Sequence, residues 1–147
     1  MTVHRFETMR RVLAAVDLGC GALPALDYAA GIARCRGAHL IVMHATGFAG
    51  SPLDLHADEP DPVARETAAR AFFDAWREGN GDTSAEFVSV RSRAPDGIVE
   101  TAIERDVGLV VVAPLIRAGL EAAAHHSVTA ALIRSCPCPV LAVPVTI

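Results

Sequence analysis

Five stretches of the chain are short, near-continuous apolar runs rather than alternating ones, and helical spacings fill the intervals between them. Arg11–Val16 (RVLAAV) is a buried strand that stops at Asp17. After the turn Leu18-Gly19-Cys20-Gly21, Leu23, Leu26, Ala29, Ala30 and Ala33 recur at helical spacing as far as Arg36, with Gly37 as the stop. His39–Ala45 (HLIVMHA) is a second strand. Residues 46–62, rich in Gly, Pro and Asp, form one long loop. Pro62–Glu78 is helical through Val63, Ala68, Ala69, Phe72, Phe73 and Trp76, and Gly79-Asn80-Gly81 ends it.

Ala85–Val90 is the third strand, and Pro95–Arg105 a helix with Ile98, Val99, Ala102 and Ile103 on its apolar face. Val107–Ala113 (VGLVVVA) is the most hydrophobic strand. Arg117–His126 fits either a short helix or a structured loop. Ser127 is the expected N-cap of a helix to Ser135, and Val140–Val145 the fifth strand. Apolar strands alternating with helices predict an α/β fold, an open parallel sheet with helices on both faces. Ligands of such sheets bind at the strand carboxyl ends, here Asp17, Ala45 and Ala113-Pro114.

Composition narrows the function. A chain of 147 residues is sized for one domain, with residues 1–9 as an N-terminal extension. With 52% apolar residues, 20% charged and a mean hydropathy of +0.34, it is not a disordered chain. A net charge of −4 argues against a nucleic-acid partner. The longest apolar run, Val107–Ile116, is too short to span a membrane. Met1–Arg10 lacks the apolar core of a signal peptide, so a reducing cytoplasm is expected. All 13 basic residues are Arg, which removes the Walker-A loop, the Schiff-base lysine and the kinase lysine.

The residues carry a resemblance. VLAAVDLGCGALPALDYAAGIARCRGAHLIVMHA resembles the opening of a universal stress protein, and DGIVETAIERDVGLVVVAPLIRAGLEAAAHHSVTAALIRSCPCPVLAVPV resembles its closing half. Asp17, His44 and the run Cys138–Leu141 fall on matching positions. The resemblance implies a single-domain, Rossmann-like sheet of strand order 3-2-1-4-5 and a homodimer. It implies that Asp17 and Ala45 line the adenosine end of a nucleotide cleft.

The family's phosphate signature, G-x-x-G, nine residues, then G-(S/T), falls here on Ala113, Ile116, His126 and Ser127, and only the Ser survives. Ser92 stands near a further family Gly after the third strand. Ile116 resists positive φ and intrudes on the phosphate path, His126 adds a ring, and Pro114 lacks an N–H. ATP held in the family manner is therefore not expected, and no cofactor is assigned.

The remaining constellations are weaker. Gly19-Cys20-Gly21 opens like a dinucleotide fingerprint, but Pro24 replaces its third Gly and no acid ends the second strand. Arg117, His125, His126 and Ser127, before the expected helix N-terminus, suit a small anion, with Val128 completing the segment. A metal site from His125, His126, Cys20 and Cys138 has no known ligand spacing. Cys136-Pro137-Cys138 is C-x-C, not the redox C-x-x-C, and Cys35 and Cys136 read as small apolar fillers. His44 on its apolar strand reads as a hydrogen-bonded core residue. No nucleophilic triad is suggested, and Asp54, Asp58, Glu59 and Asp61 crowd the long loop.

The expectation is a non-enzymatic, homodimeric stress-response regulator or adaptor, with an unidentified protein partner. A sensor of a nucleotide or anion in the cleft is the alternative. The fifth strand has apolar residues on both faces, Leu141, Val143 and Val145 on one and Val140 and Ala142 on the other. As an edge strand it is the expected dimer seam.

Overall fold

The structure, a computed structural model, describes residues 8–16, 22–46, 61–81, 84–113, 115–116 and 120–146. Its elements are β1 (Arg11–Ala15), α1 (Ala22–Arg36), β2 (His39–Ala45), α2 (Pro62–Asn80), β3 (Glu86–Val90), α3 (Ala94–Glu104), β4 (Leu109–Val112), β5 (Leu115–Ile116), α4 (Leu120–Ser135), β6 (Val140–Ala142) and β7 (Val145–Thr146). The main sheet is parallel throughout and ordered β3-β2-β1-β4-β6. This is the expected 3-2-1-4-5 order, with β6 as fifth strand.

β1 is the central strand, with Leu13 in register with Ile41 on one side and Val110 on the other. Both faces are covered, so alternate residues enter two cores. Val12, Ala14, Leu40, Val42 and Val111 pack with Leu26, Ala29, Ala30 and Ala33 of α1 and with Phe73 and Trp76 of α2. Leu13, Ile41, Met43, Val110 and Val112 pack with Ile98 and Ala102 of α3 and Leu132 of α4. Trp76 Nε1 donates to Asp27 Oδ1 at 3.2 Å, joining α2 to α1. Ile103, expected on the buried face of α3, is exposed. It lies one residue beyond the buried row Ile98–Thr101–Ala102, which turns it to solvent.

Helix ends explain two sequence signals. At Gly37, φ is +61°, and Ala38 N–H reaches Ala33 O at 2.8 Å, the crossed closure that requires a left-handed residue. The end of α3 has the same closure, Val107 N–H to Ala102 O at 3.0 Å, but the left-handed residue is Asp106 at φ +49°. Glycine carries no steric cost there. Asp106→Gly is therefore expected to raise stability by about 0.5–1 kcal/mol, read as a Tm increase of a few degrees. A Tm that falls would show that the Asp106 side chain holds the turn.

Arg105 sits 2.8 Å from Glu86, and His39 3.3 Å, across the amino ends of the strands. The Arg105 hydrogen bond, opposed by burial and aided by His39, holds the Glu86 carboxyl below the usual carboxylate range. A depressed folded-state pKa means that this contribution is present above the ordinary carboxylate pKa and is lost as pH falls through the folded value. All three side chains are partly exposed, so the contribution is small.

Two expected elements change. The fifth strand is not one run to Val145. β6 ends at Ala142, and after Val143-Pro144 the short β7 pairs with β5 in a separate two-stranded parallel ladder. Val145 thus faces Leu115 of the same chain and leaves the expected dimer seam. Val143 is also withdrawn from it. Its N–H donates to Val112 O at 2.8 Å, and its side chain is buried in the α1/α2 core. The second change is the length of α4. It begins at Leu120, so Ser127 lies inside the helix and is not its N-cap.

Candidate functional site

The site is built at the carboxyl ends of the strands. Chain order reverses between β1 and β4, which makes this the switch point of the sheet. Val16, directly after β1, donates its N–H to Met43 O at 2.9 Å. Ala45 ends β2 on one side and Ala113 follows β4 on the other, both half-buried. Both are small side chains at the expected strand ends. Asp17 and Arg117 lie outside the described residues.

His44 behaves as expected of a core histidine. It is buried, and Nδ1 lies 3.0 Å from Val16 O. A carbonyl only accepts, so Nδ1 carries the proton. This bond ties the end of β2 to the end of β1. In the neutral ring Nε2 is then an acceptor, and it has no partner among the described residues. In register across from His44 stands Ser89 of β3, whose buried Oγ likewise has no partner among the described residues. Thr46 is fully buried, with its N–H on Val90 O at 2.9 Å. Ser89 and Thr46 stand outside the candidate site residues that the sequence pattern singles out. The signal for Ser89 was a lone hydroxyl inside the apolar run EFVSV.

The segment that should hold phosphate has a different backbone from the one expected. Leu115 and Ile116 are extended and paired in parallel with Val145 and Thr146. His126 and Ser127 lie in the interior of α4, where backbone N–H groups are committed to the preceding turn. The anion site expected at a helix N-terminus on Ser127 is overturned, because that terminus is at Leu120. Val128 is half-buried and packs on the α3/α4 core instead of facing a cleft from a first turn.

The cysteines also differ from expectation. Cys35 is exposed, not a core filler, because it falls on the outer side of α1. Cys138 is buried in the α3/α4 core, and half-buried Cys136 brings its sulfur to 4.0 Å from it. Among the described residues no group of His, Cys, Asp and Glu could hold a metal, and no helix is long and apolar enough to cross a membrane. A cleft between α3 and α4 is lined by Ser92, Asp96, Glu100 and Ser135.

A parallel sheet wound in both directions from a switch point, with helices on both faces, is the doubly wound α/β architecture. The sequence model of the Universal stress protein family matches residues 8–144, and the chain belongs to that family. A universal stress protein UspA from Lactobacillus plantarum is similar in structure, at TM-score 0.74 and 18% identity, covering 92% of this chain and 97% of its own. A universal stress protein in complex with cAMP is 26% identical at TM-score 0.68, covering 92% and 97%. One from Archaeoglobus fulgidus in complex with dAMP is 23% identical at TM-score 0.66, covering 90% and 96%. Comparison with curated protein sequences gives no significant match.

Proposed function

We propose that this protein acts in the stress response by binding rather than by catalysis, as a homodimeric cytoplasmic regulator or adaptor without its family's ATP site. The observation that carries this reading is the backbone between β4 and α4. A phosphate cradle needs free N–H groups and residues that allow close approach. Here Leu115–Ile116 run in a ladder, and His126-Ser127 run inside a helix. Together with Ala113, Ile116 and His126 in the family's glycine places, this supports loss of the phosphate grip. Calorimetry with ATP–Mg²⁺, ADP and AMP is expected to give no saturable binding at micromolar ligand. Tight ATP binding would overturn the reading.

A second reading, a sensor of a small nucleotide or anion, is favoured by His44 and Ser89. Two buried polar atoms without partners among the described residues, in register near the carboxyl ends of β2 and β3, ask for a hydrogen-bonding guest. Relatives described in complex with cAMP and dAMP support a guest with an adenosine part. It would rest at the strand carboxyl ends, between Asp17, Ala45 and Ala113. Native mass spectrometry of the purified protein reads carried-over ligand and subunit number together. A ligand-free monomer would count against both readings.

A further inference from the structure

We propose that Cys136 and Cys138 form a two-electron redox site, a dithiol that a small hydroperoxide converts to an intramolecular disulfide across Pro137. The pair stands at the junction of α4 and β6, away from the switch-point cleft. Its sulfurs are 4.0 Å apart with nothing between them but the approach itself. Closing the bond brings them about 2 Å nearer. The chain bends at Pro137 and Cys138, and the two sulfurs meet across that bend. Prolines at 137 and 139 fix φ on either side of Cys138, so the bend is preorganised. Cys136 N–H donates to Leu132 O at 2.8 Å, anchoring the first cysteine to the last turn of α4.

The two thiols have different roles by position. Cys136 is half-buried and open to a small oxidant, whereas Cys138 is buried among the α3/α4 core residues and reachable chiefly from Cys136. The Cys138 thiol, and secondarily its backbone N–H, hold the Cys136 thiol down to about 7 against the cost of burial. The C-terminal end of α4 opposes a negative sulfur, so the local donors must outweigh the helix dipole. Pairing with Cys136 and burial push the Cys138 thiol up, and its proton stays in place until attack. This is the division between an attacking and a resolving thiol.

The chemistry balances. Cys136 thiolate attacks the terminal oxygen of the hydroperoxide, the O–O bond breaks, and the departing alkoxide takes a proton to leave as alcohol. Cys136 is then a sulfenic acid. Cys138 sulfur attacks the sulfenyl sulfur, the S–O bond breaks, and hydroxide leaves with the Cys138 proton as water. Two thiols lose two electrons and two protons, and the hydroperoxide becomes alcohol and water. Because the ring spans a single residue, the disulfide is strained and readily reduced. Drawing Cys138 toward Cys136 also shifts the residue that leads through Pro139 into β6, whose carbonyl accepts Val110 N–H at 3.0 Å. Oxidation therefore pulls on the bend at Pro139 that enters the edge strand.

The test uses the full chain, fully reduced, with a few equivalents of hydrogen peroxide, followed by alkylation, intact mass and peptide mapping. The expected result is a loss of about 2 Da, with Cys136 and Cys138 protected together and released by dithiothreitol. In Cys138→Ala and Cys138→Ser the disulfide is absent, and dimedone traps Cys136 as its sulfenic acid. In Cys136→Ser, Cys138 stays alkylatable after denaturation. The wild-type map alone decides the proposal if a variant fails to fold. Peroxide-treated wild type in which both thiols still alkylate would overturn it. So would oxidation of Cys136 to sulfinic acid equally fast with and without Cys138, or disulfides formed only between chains through Cys35.

Discussion

With the proposed homodimer paired through β6, Ala142→Pro is expected to be a folded monomer at concentrations where the wild type associates. Val110 N–H reaches Pro139 O, and Val143 N–H reaches Val112 O, so the odd-numbered positions of β6 turn their backbone groups toward β4. By alternation Val140 and Ala142 direct theirs to the open edge. Ala142 is also exposed, and Val140 and Leu141 are half-buried. A second copy pairing at this edge would use the N–H of Ala142. Proline removes it while leaving the inward bonds, as edge strands tolerate. Pro144 stands at the next position of the same parity and limits the seam naturally. In a two-fold dimer both copies lose that bond, each leaving a partner carbonyl unpaired, at about 2–3 kcal/mol or roughly 30- to 150-fold in the dimer dissociation constant per bond. Light scattering against concentration measures it. An unchanged dimer would move the interface off β6. Val143→Asp is unsuitable for this purpose, because Val143 is buried within its own chain and a charge there would unfold it.

Leu13→Ala is expected to destabilise the fold by about 3–5 kcal/mol, in the upper part of the range for buried leucines. Leu13 is 0% exposed at the centre of the central strand. Its backbone is held by ladders on both sides, to Ile41 and Val110, so neither neighbour can move in to fill the space. Leu132 and Ile98 lie across the α3/α4 face and leave a void of their own if they follow. Stabilities of such domains are about 5–15 kcal/mol, so the loss is a large share of the total. Urea denaturation with an unchanged slope would record it as a lower midpoint. A loss under about 1.5 kcal/mol would mean that the core closes around the gap.

The strand carboxyl ends were legible in advance. Ala45, Ala113 and His44 could be put at strand ends because a strand end is marked by where the apolar run stops. Ser127 misled for a definite reason. A serine before an apolar spacing reads as a cap, yet GLEAAAHH upstream is rich in alanine, the residue that most favours helix. The helix extends through it without an apolar stripe to announce it. β5 and β7 are two residues each, too short to carry any period, and only their mutual pairing makes them strands.

Periodicity along the chain was enough to establish five strands, four helices and a sheet buried on both faces, because side-chain alternation and helical repeat are local properties of the backbone. The His39–Ala45 strand and the Gly37 stop were readable to the residue for that reason. Three features depend on how distant segments are brought into register. Asp106 adopts a left-handed turn because Val107 must enter the core one residue later. Val143 leaves the sheet edge because the ladder to β4 continues through its N–H. Cys136 and Cys138 meet because Cys136 is anchored to Leu132 in the last turn of α4 and Pro139, just before β6, is anchored to Val110, and the bend between them has to accommodate both.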